Sequence, residues 1–176
     1  MPPANENNEA GFWEPERLAA ANERLLVAAG SSWLDWRRID FDRLSASQHQ
    51  AFKDEILNLV VDEFGDAPLF VLKDPRICRL ATFYREIFDQ LNIAVRPILA
   101  LRNPLEVVES LVKRDGIAKW HAAMMWLRYT LDAERDSRGL PRAMVDYDRL
   151  LVDGPAALAG LDRALGIGWT APNETA

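Results

Sequence analysis

The feature that most constrains this chain is the alternation of short apolar runs with longer stretches of helical periodicity. Leu69-Phe70-Val71-Leu72, after Pro68, is a continuous apolar run that reads as a buried strand. Residues 93–101 read as a second strand, weakened at Pro97, which has no N–H for a ladder. Ala143-Met144-Val145 reads as a third. Around them lie helical patterns. The first starts near Glu14 with Pro15 as its first helical residue, carries Leu18, Leu25, Leu26 and Ala29 on one stripe, and closes at Gly30. The second covers 46–64, with Phe52, Ile56, Leu59 and Val60 on one face and Gly65 as its stop. Residues 78–91 follow, with Leu80, Phe83, Tyr84, Ile87 and Leu91 inward. A helix opens at Pro104. A long one spans 117–137 with Trp120, Met124, Leu127 and Leu131 inward, and a last one runs from Pro155 to Gly166. Strands alternating with helices predict an α/β domain: a mainly parallel sheet flanked by helices, with right-handed crossovers. Such sheets place ligands beyond the carboxyl ends of their strands.

Composition narrows the function classes. The 176 residues are 49% hydrophobic and 27% charged, enough for one domain to bury a core without a disulfide or metal staple. Residues 1–176 therefore read as a single domain, with 1–11 irregular. The formal charge of −6 argues against nucleic acid, which needs a basic face. Cys78 is alone, and His49 and His121 are far apart, so no metal is expected. No long apolar run predicts a membrane span, and the N-terminus lacks the pattern of a secretory signal, so a cytoplasmic setting is expected. His121 reads as a half-buried packing residue and His49 as exposed. Trp13 reads as an anchor onto the core or a residue near a cleft.

Two of the three strands end in charged turns marked by proline. At the first, Lys73-Asp74-Pro75-Arg76, two cations flank one carboxylate, and Pro75 stiffens Asp74. Lys73 and Arg76 can stabilise charge on a transferred group, and Asp74 can accept a proton from an attacking hydroxyl. An internal Asp–Arg pair that merely fixes the turn is the alternative. At the second, Arg102-Asn103-Pro104, Asn103 is the N-cap and Glu106 completes a capping-box pattern. The free N–H groups of that helix start, the Arg102 fork and the Ser110 hydroxyl form a candidate anion site. The alternative is an Arg102 paired with Glu106 or Glu109.

These turns, read with their flanks, carry a resemblance. KDPR after an apolar strand, then ALRNPLEVVESL, then MVDYDRLLVDGPAAL, with NEAGFWEPERLAAANERLL upstream, resemble bacterial sulfotransferases that use 3′-phosphoadenosine 5′-phosphosulfate (PAPS). The resemblance covers roughly residues 9–165 and is most specific at the RNP…S segment. It implies a fold like that of P-loop kinases and transfer of a sulfuryl group to a hydroxyl or amine on a small molecule or saccharide, without a metal. It implies that Arg102 and Ser110 bind the 3′-phosphate of the nucleotide and that Tyr147 sits where some relatives contact the adenine. Many relatives place a histidine or glutamate base near the turn that KDPR occupies, where Asp74 is the candidate base here, with Lys73 and Arg76 as candidate electrostatic partners. Catalysis of this kind rests on positioning and on stabilising charge on the moving group.

The chain departs from the family in two respects, the first being that the C-terminal basic, glycine-containing loop that some relatives fold over the 3′-phosphate is not visible. The glycine-rich loop between a first strand and helix, which cradles the 5′-phosphosulfate through backbone N–H groups, has no counterpart here. Relative to the family the chain reads as N-terminally truncated. Three readings follow: a fragment, a relative that binds nucleotide or partner without catalysis, or a chain completed by a strand from elsewhere. A missing interior strand exposes backbone edges, so an oligomer through an exposed sheet edge is expected.

Overall fold

The structure, a computed structural model, describes residues 14–169. The readings for residues 1–11 and Trp13, and the start of the upstream matching segment, lie outside the described residues. Helix α1 (Glu16–Ala28) has Pro15 as its N-cap rather than as its first helical residue. Beyond its end, Gly30 takes φ +70°, a backbone open mainly to glycine, and a Cβ there would lie 2.6 Å from the Arg43 guanidinium. Helix α2 (Ala46–Phe64) starts at a true capping box. The Ser45 hydroxyl accepts from the Gln48 N–H at 3.2 Å, and the Gln48 side chain accepts from the Ser45 N–H at 3.0 Å. Helix α3 (Ala81–Gln90) is shorter than its apolar pattern, because residues 77–79 form a 3₁₀ turn ahead of it.

These three helices hold most of the core. Leu18, Leu25, Leu26, Ile56, Leu80, Phe83, Tyr84 and Ile87 are all buried at their interface. Burying each such aliphatic side chain is worth about 1.5–3 kcal/mol before conformational entropy is set against it. Phe41 and Phe83 stack at 6.1 Å, and the His49 ring lies 4.9 Å from Phe83. His49 therefore packs its ring on the core rather than standing clear in water.

Among the described residues the sheet has two parallel strands, β1 (Ile98–Leu101) and β2 (Ala143–Asp146), in register from Ile98 opposite Ala143 to Leu101 opposite Asp146. Helices α4 (Pro104–Asp115) and α5 (Lys119–Asp136) form the crossover between them. The chain is thus α/β, with a smaller sheet than its sequence predicts. Pairing begins at Ile98, not at residue 93, because Pro97 offers only its carbonyl, which accepts from the Ala143 N–H at 3.0 Å. The apolar run 69–72 is not a strand: among the described residues it has no ladder partner. Its side chains still alternate as in an extended segment. Phe70 and Leu72 pack toward the core, with Phe70 stacked on Phe64 at 4.1 Å, while Leu69 and Val71 are 47% and 65% exposed.

Helix α5 is rotated from its expected face. Ala122, Met125 and Asp132 are buried, whereas Trp120, Leu127 and Leu131 are exposed. An ion pair explains the rotation. The fully buried Arg79 guanidinium donates to Asp132 at 2.9 Å and to the carbonyls of Asp35 and Arg37 at 2.6 Å each. Turning Asp132 inward gives this buried cation its carboxylate partner, so Asp132 lies on the inward face. His121 is half-buried as its sequence suggests, its Nε2 2.7 Å from the Leu34 carbonyl. Past β2 come α6 (Tyr147–Val152), capped by Asp146, and α7 (Gly154–Leu165), capped by Asp153.

Candidate functional site

The Arg102 turn follows from the strand register. Leu101 and Asp146 face each other at the ends of two adjacent parallel strands, so the next residues, Arg102 and Tyr147, emerge side by side. The Arg102 guanidinium lies over the Tyr147 ring, 4.9 Å from its centroid. Asn103 caps α4 by accepting from the Leu105 N–H at 3.0 Å, and Pro104 fills the first helical position. Glu106 does not complete a capping box. Its carboxylate accepts from Arg102 Nε at 3.0 Å, which realises the simple pairing that the sequence left open. Arg102 keeps 39% of its side chain exposed, so the guanidinium is accessible to a ligand. Ser110 is exposed on α4, six residues beyond Pro104, or about 9 Å along the axis at 1.5 Å per residue. Arg102 and Tyr147 are therefore together, and Ser110 stands about two turns up the same helix.

The Lys73 turn has a different environment. Asp74 is buried, and its side chain accepts from Asn22 Nδ2 at 2.9 Å, from the Arg76 N–H at 2.8 Å and from the Arg76 guanidinium at 2.8 Å. The lone pairs that a base would use are thus engaged by three donors. Arg76 also donates to Glu23 at 3.0 Å. Burial opposes the Arg76 charge, but Asp74 and Glu23 more than offset it and raise its pKa. Lys73 pairs with Glu14, whose other carboxylate oxygen, Oε2, is buried without a hydrogen-bond partner among the described residues. Tyr84 completes the network by donating to Asn22 at 2.8 Å, and its own pKa is driven up by burial.

Sequence reasoning missed Glu14, Asn22 and Glu23. Asn22 carried a usable signal, a polar residue between Leu18 and Leu25 on the apolar stripe of α1. Glu14 and Glu23 carried none, since either reads as an ordinary solvated helix carboxylate.

Both turns line one cleft of about 1780 Å³, whose mostly apolar walls also carry Arg85, Arg96, Arg114, Asp115 and Asp136. Among the described residues no cluster of His, Cys, Asp and Glu is placed to hold a metal ion. Nor, among them, is any helix long and apolar enough to cross a membrane. Compared with family models, with curated proteins and with solved structures, the chain matches none.

Proposed function

We propose that the chain is a sulfotransferase-like domain that binds PAPS at the Arg102 turn and belongs to a P-loop kinase-like architecture. The observation that carries this reading is the meeting of Arg102 and Tyr147 beyond the carboxyl ends of two parallel strands, at the N-terminus of α4. A guanidinium and an aromatic face at one point offer a phosphate ligand and a stacking platform for a purine. The helix start adds N–H groups and the favourable end of a dipole. On this reading the 3′-phosphate displaces Glu106 from Arg102 and takes a further bond from Ser110, and the adenine lies on Tyr147. Sulfuryl transfer to an acceptor hydroxyl or amine then occurs at the cleft end held by Lys73, Asp74 and Arg76. Lys73 and Arg76 offset charge on the moving group, and Asp74 takes the acceptor's proton once a ligand loosens its bonds.

A second reading, a nucleotide-binding or interaction domain without catalysis, draws support from the Lys73 turn. Each of its charges is already paired within the protein, which suits a turn that holds structure rather than one that performs chemistry. Association of copies through the open edge of β1 accompanies either reading.

Calorimetric titration with adenosine 3′,5′-bisphosphate, against adenosine 5′-monophosphate, tests the site. The expected result is preference for the 3′-phosphorylated ligand, lost in Arg102→Ala. Binding of neither nucleotide removes the proposal. Transfer of labelled sulfate from PAPS then separates an enzyme from a binding module.

A further inference from the structure

One oxygen stands apart in the network around the Lys73 turn. Buried polar atoms in folded proteins nearly always have a hydrogen-bond partner. Among the described residues, Glu14 Oε2 is the one buried side-chain nitrogen or oxygen that has none. Glu14 Oε1 accepts from Lys73 Nζ, so the carboxylate is half used. The Glu14 side chain is 10% exposed, and the residue lines the cleft beside Lys73 and Asp74. A buried acceptor without a donor costs about 1–3 kcal/mol, and a charged one costs more. A donor arriving at Oε2 recovers that cost.

Charge decides the kind of donor. The turn and its partners hold three carboxylates, Glu14, Glu23 and Asp74, against two cations, Lys73 and Arg76. The other cations of α1, Arg17 and Arg24, pair with Asp62 and Glu55 of α2. Residues 1–13 and 170–176 contain no Lys, Arg or His and add only Glu6, Glu9 and Glu174, so their side chains cannot supply the missing positive charge. A ligand is left to bring it. A hydroxyl would satisfy Oε2 but leave the surplus negative charge, whereas a cationic donor meets both needs. A guanidinium grips a carboxylate best through both oxygens, and Lys73 already holds Oε1. A compact ammonium group needs only Oε2.

We propose that Glu14 binds the primary ammonium group of a ligand in the cleft, through Oε2, while the mostly apolar walls hold the rest of the molecule. Asp74, engaged by three donors, does not compete for that group. On the sulfuryl-transfer reading the acceptor is then an amine rather than an alcohol, and in that respect the inference rests on that reading. The binding site itself does not, and it is scored with no nucleotide present.

The test is an NMR titration with benzylamine and with benzyl alcohol, which are alike in shape and differ in charge at neutral pH. Benzylamine should bind about tenfold more tightly, because a hydrogen bond between charged groups is stronger than one to a neutral hydroxyl. Its shifts should centre on Glu14 and Lys73. Glu14→Gln should abolish the preference, with circular dichroism reporting that the variant folds. Lys73→Gln removes the internal competitor for the carboxylate and should tighten benzylamine about threefold. A Glu14–Lys73 pair that only supports the fold predicts no such gain, so this variant decides the matter even if Glu14→Gln does not fold. Equal binding of the two probes, binding of neither, or a preference that survives Glu14→Gln overturns the proposal. A benzylamine preference in a chain that binds no nucleotide would leave the ammonium site standing and remove the nucleotide reading. Nucleotide binding without that preference would remove the ammonium site alone.

Discussion

The two charged turns look alike in sequence and differ in what holds them. Each follows an apolar run, contains a proline and presents arginine. The Arg102 turn is held by neighbours in sequence: Asn103 caps its helix, and Glu106, one turn on, holds Arg102 in an ion pair that stays accessible. The Lys73 turn is held from a distance. Asn22, Glu23 and Glu14, each more than fifty positions away, close around Asp74, Arg76 and Lys73. A local cation is thus open to a ligand or committed to the fold according to what the tertiary structure brings to it. The first turn suits recognition. The second carries stability, and chemistry there requires bonds to be broken.

That contrast can be broken by measurement. The largest effect is expected at Asp74. Asp74→Ala leaves the Arg76 guanidinium and the Asn22 amide without their buried partner and should cost about 3–5 kcal/mol in urea unfolding. A loss near that expected for an exposed pair would erase the distinction between the turns.

Cys78 reports on the same region, because its thiol donates to the Pro75 carbonyl at 3.2 Å. Burial pushes it up to about 12, with the nearby Arg79 charge offsetting part of the rise. A raised thiol pKa means less thiolate at a given pH. Alkylation at pH 8 should therefore run about 1000-fold slower than for a thiol three pKa units lower, and recover that rate on unfolding. Fast alkylation of the folded protein would show that the Lys73 turn opens readily.

At the other turn effects should be small. Asn103→Ala removes one cap and should cost about 1 kcal/mol, read as a shift of the urea midpoint. Arg102→Ala breaks an exposed pair and should change stability by less than about 1 kcal/mol. That mildness makes it a clean probe of nucleotide binding. A large destabilisation would instead identify Arg102 as part of the fold's support.

Much of the helical framework was legible in the chain itself. Helix α2 runs over the residues its pattern predicts, because Ser45, Gln48 and Gly65 mark its ends with local chemistry. The start of α4 was equally legible, for Asn103 and Pro104 act within one turn. Legibility failed where the deciding partner is remote. The run 69–72 has strand composition, yet a strand also needs a hydrogen-bonding neighbour, and composition does not supply one. The 117–137 pattern suggested a face carrying Trp120, Leu127 and Leu131, but Arg79 chose Asp132 instead. At the candidate site Arg102 and Tyr147 were each readable as residues. Their contact came from strand register, and the buried partners of Asp74 came from the packing of α1.

By itself the sequence determined an α/β chain, the ends of α2, the start of α4 and the positions of its two charged turns. These depend on backbone preferences and side-chain hydrogen bonds that act over a few residues. Only the tertiary structure decided that 69–72 has no ladder partner among the described residues, that α5 turns Asp132 inward and that Asp74 is enclosed while Arg102 is open. Those outcomes depend on how buried charges and backbone groups find partners fifty or more residues away, and short-range preference carries no record of that distance.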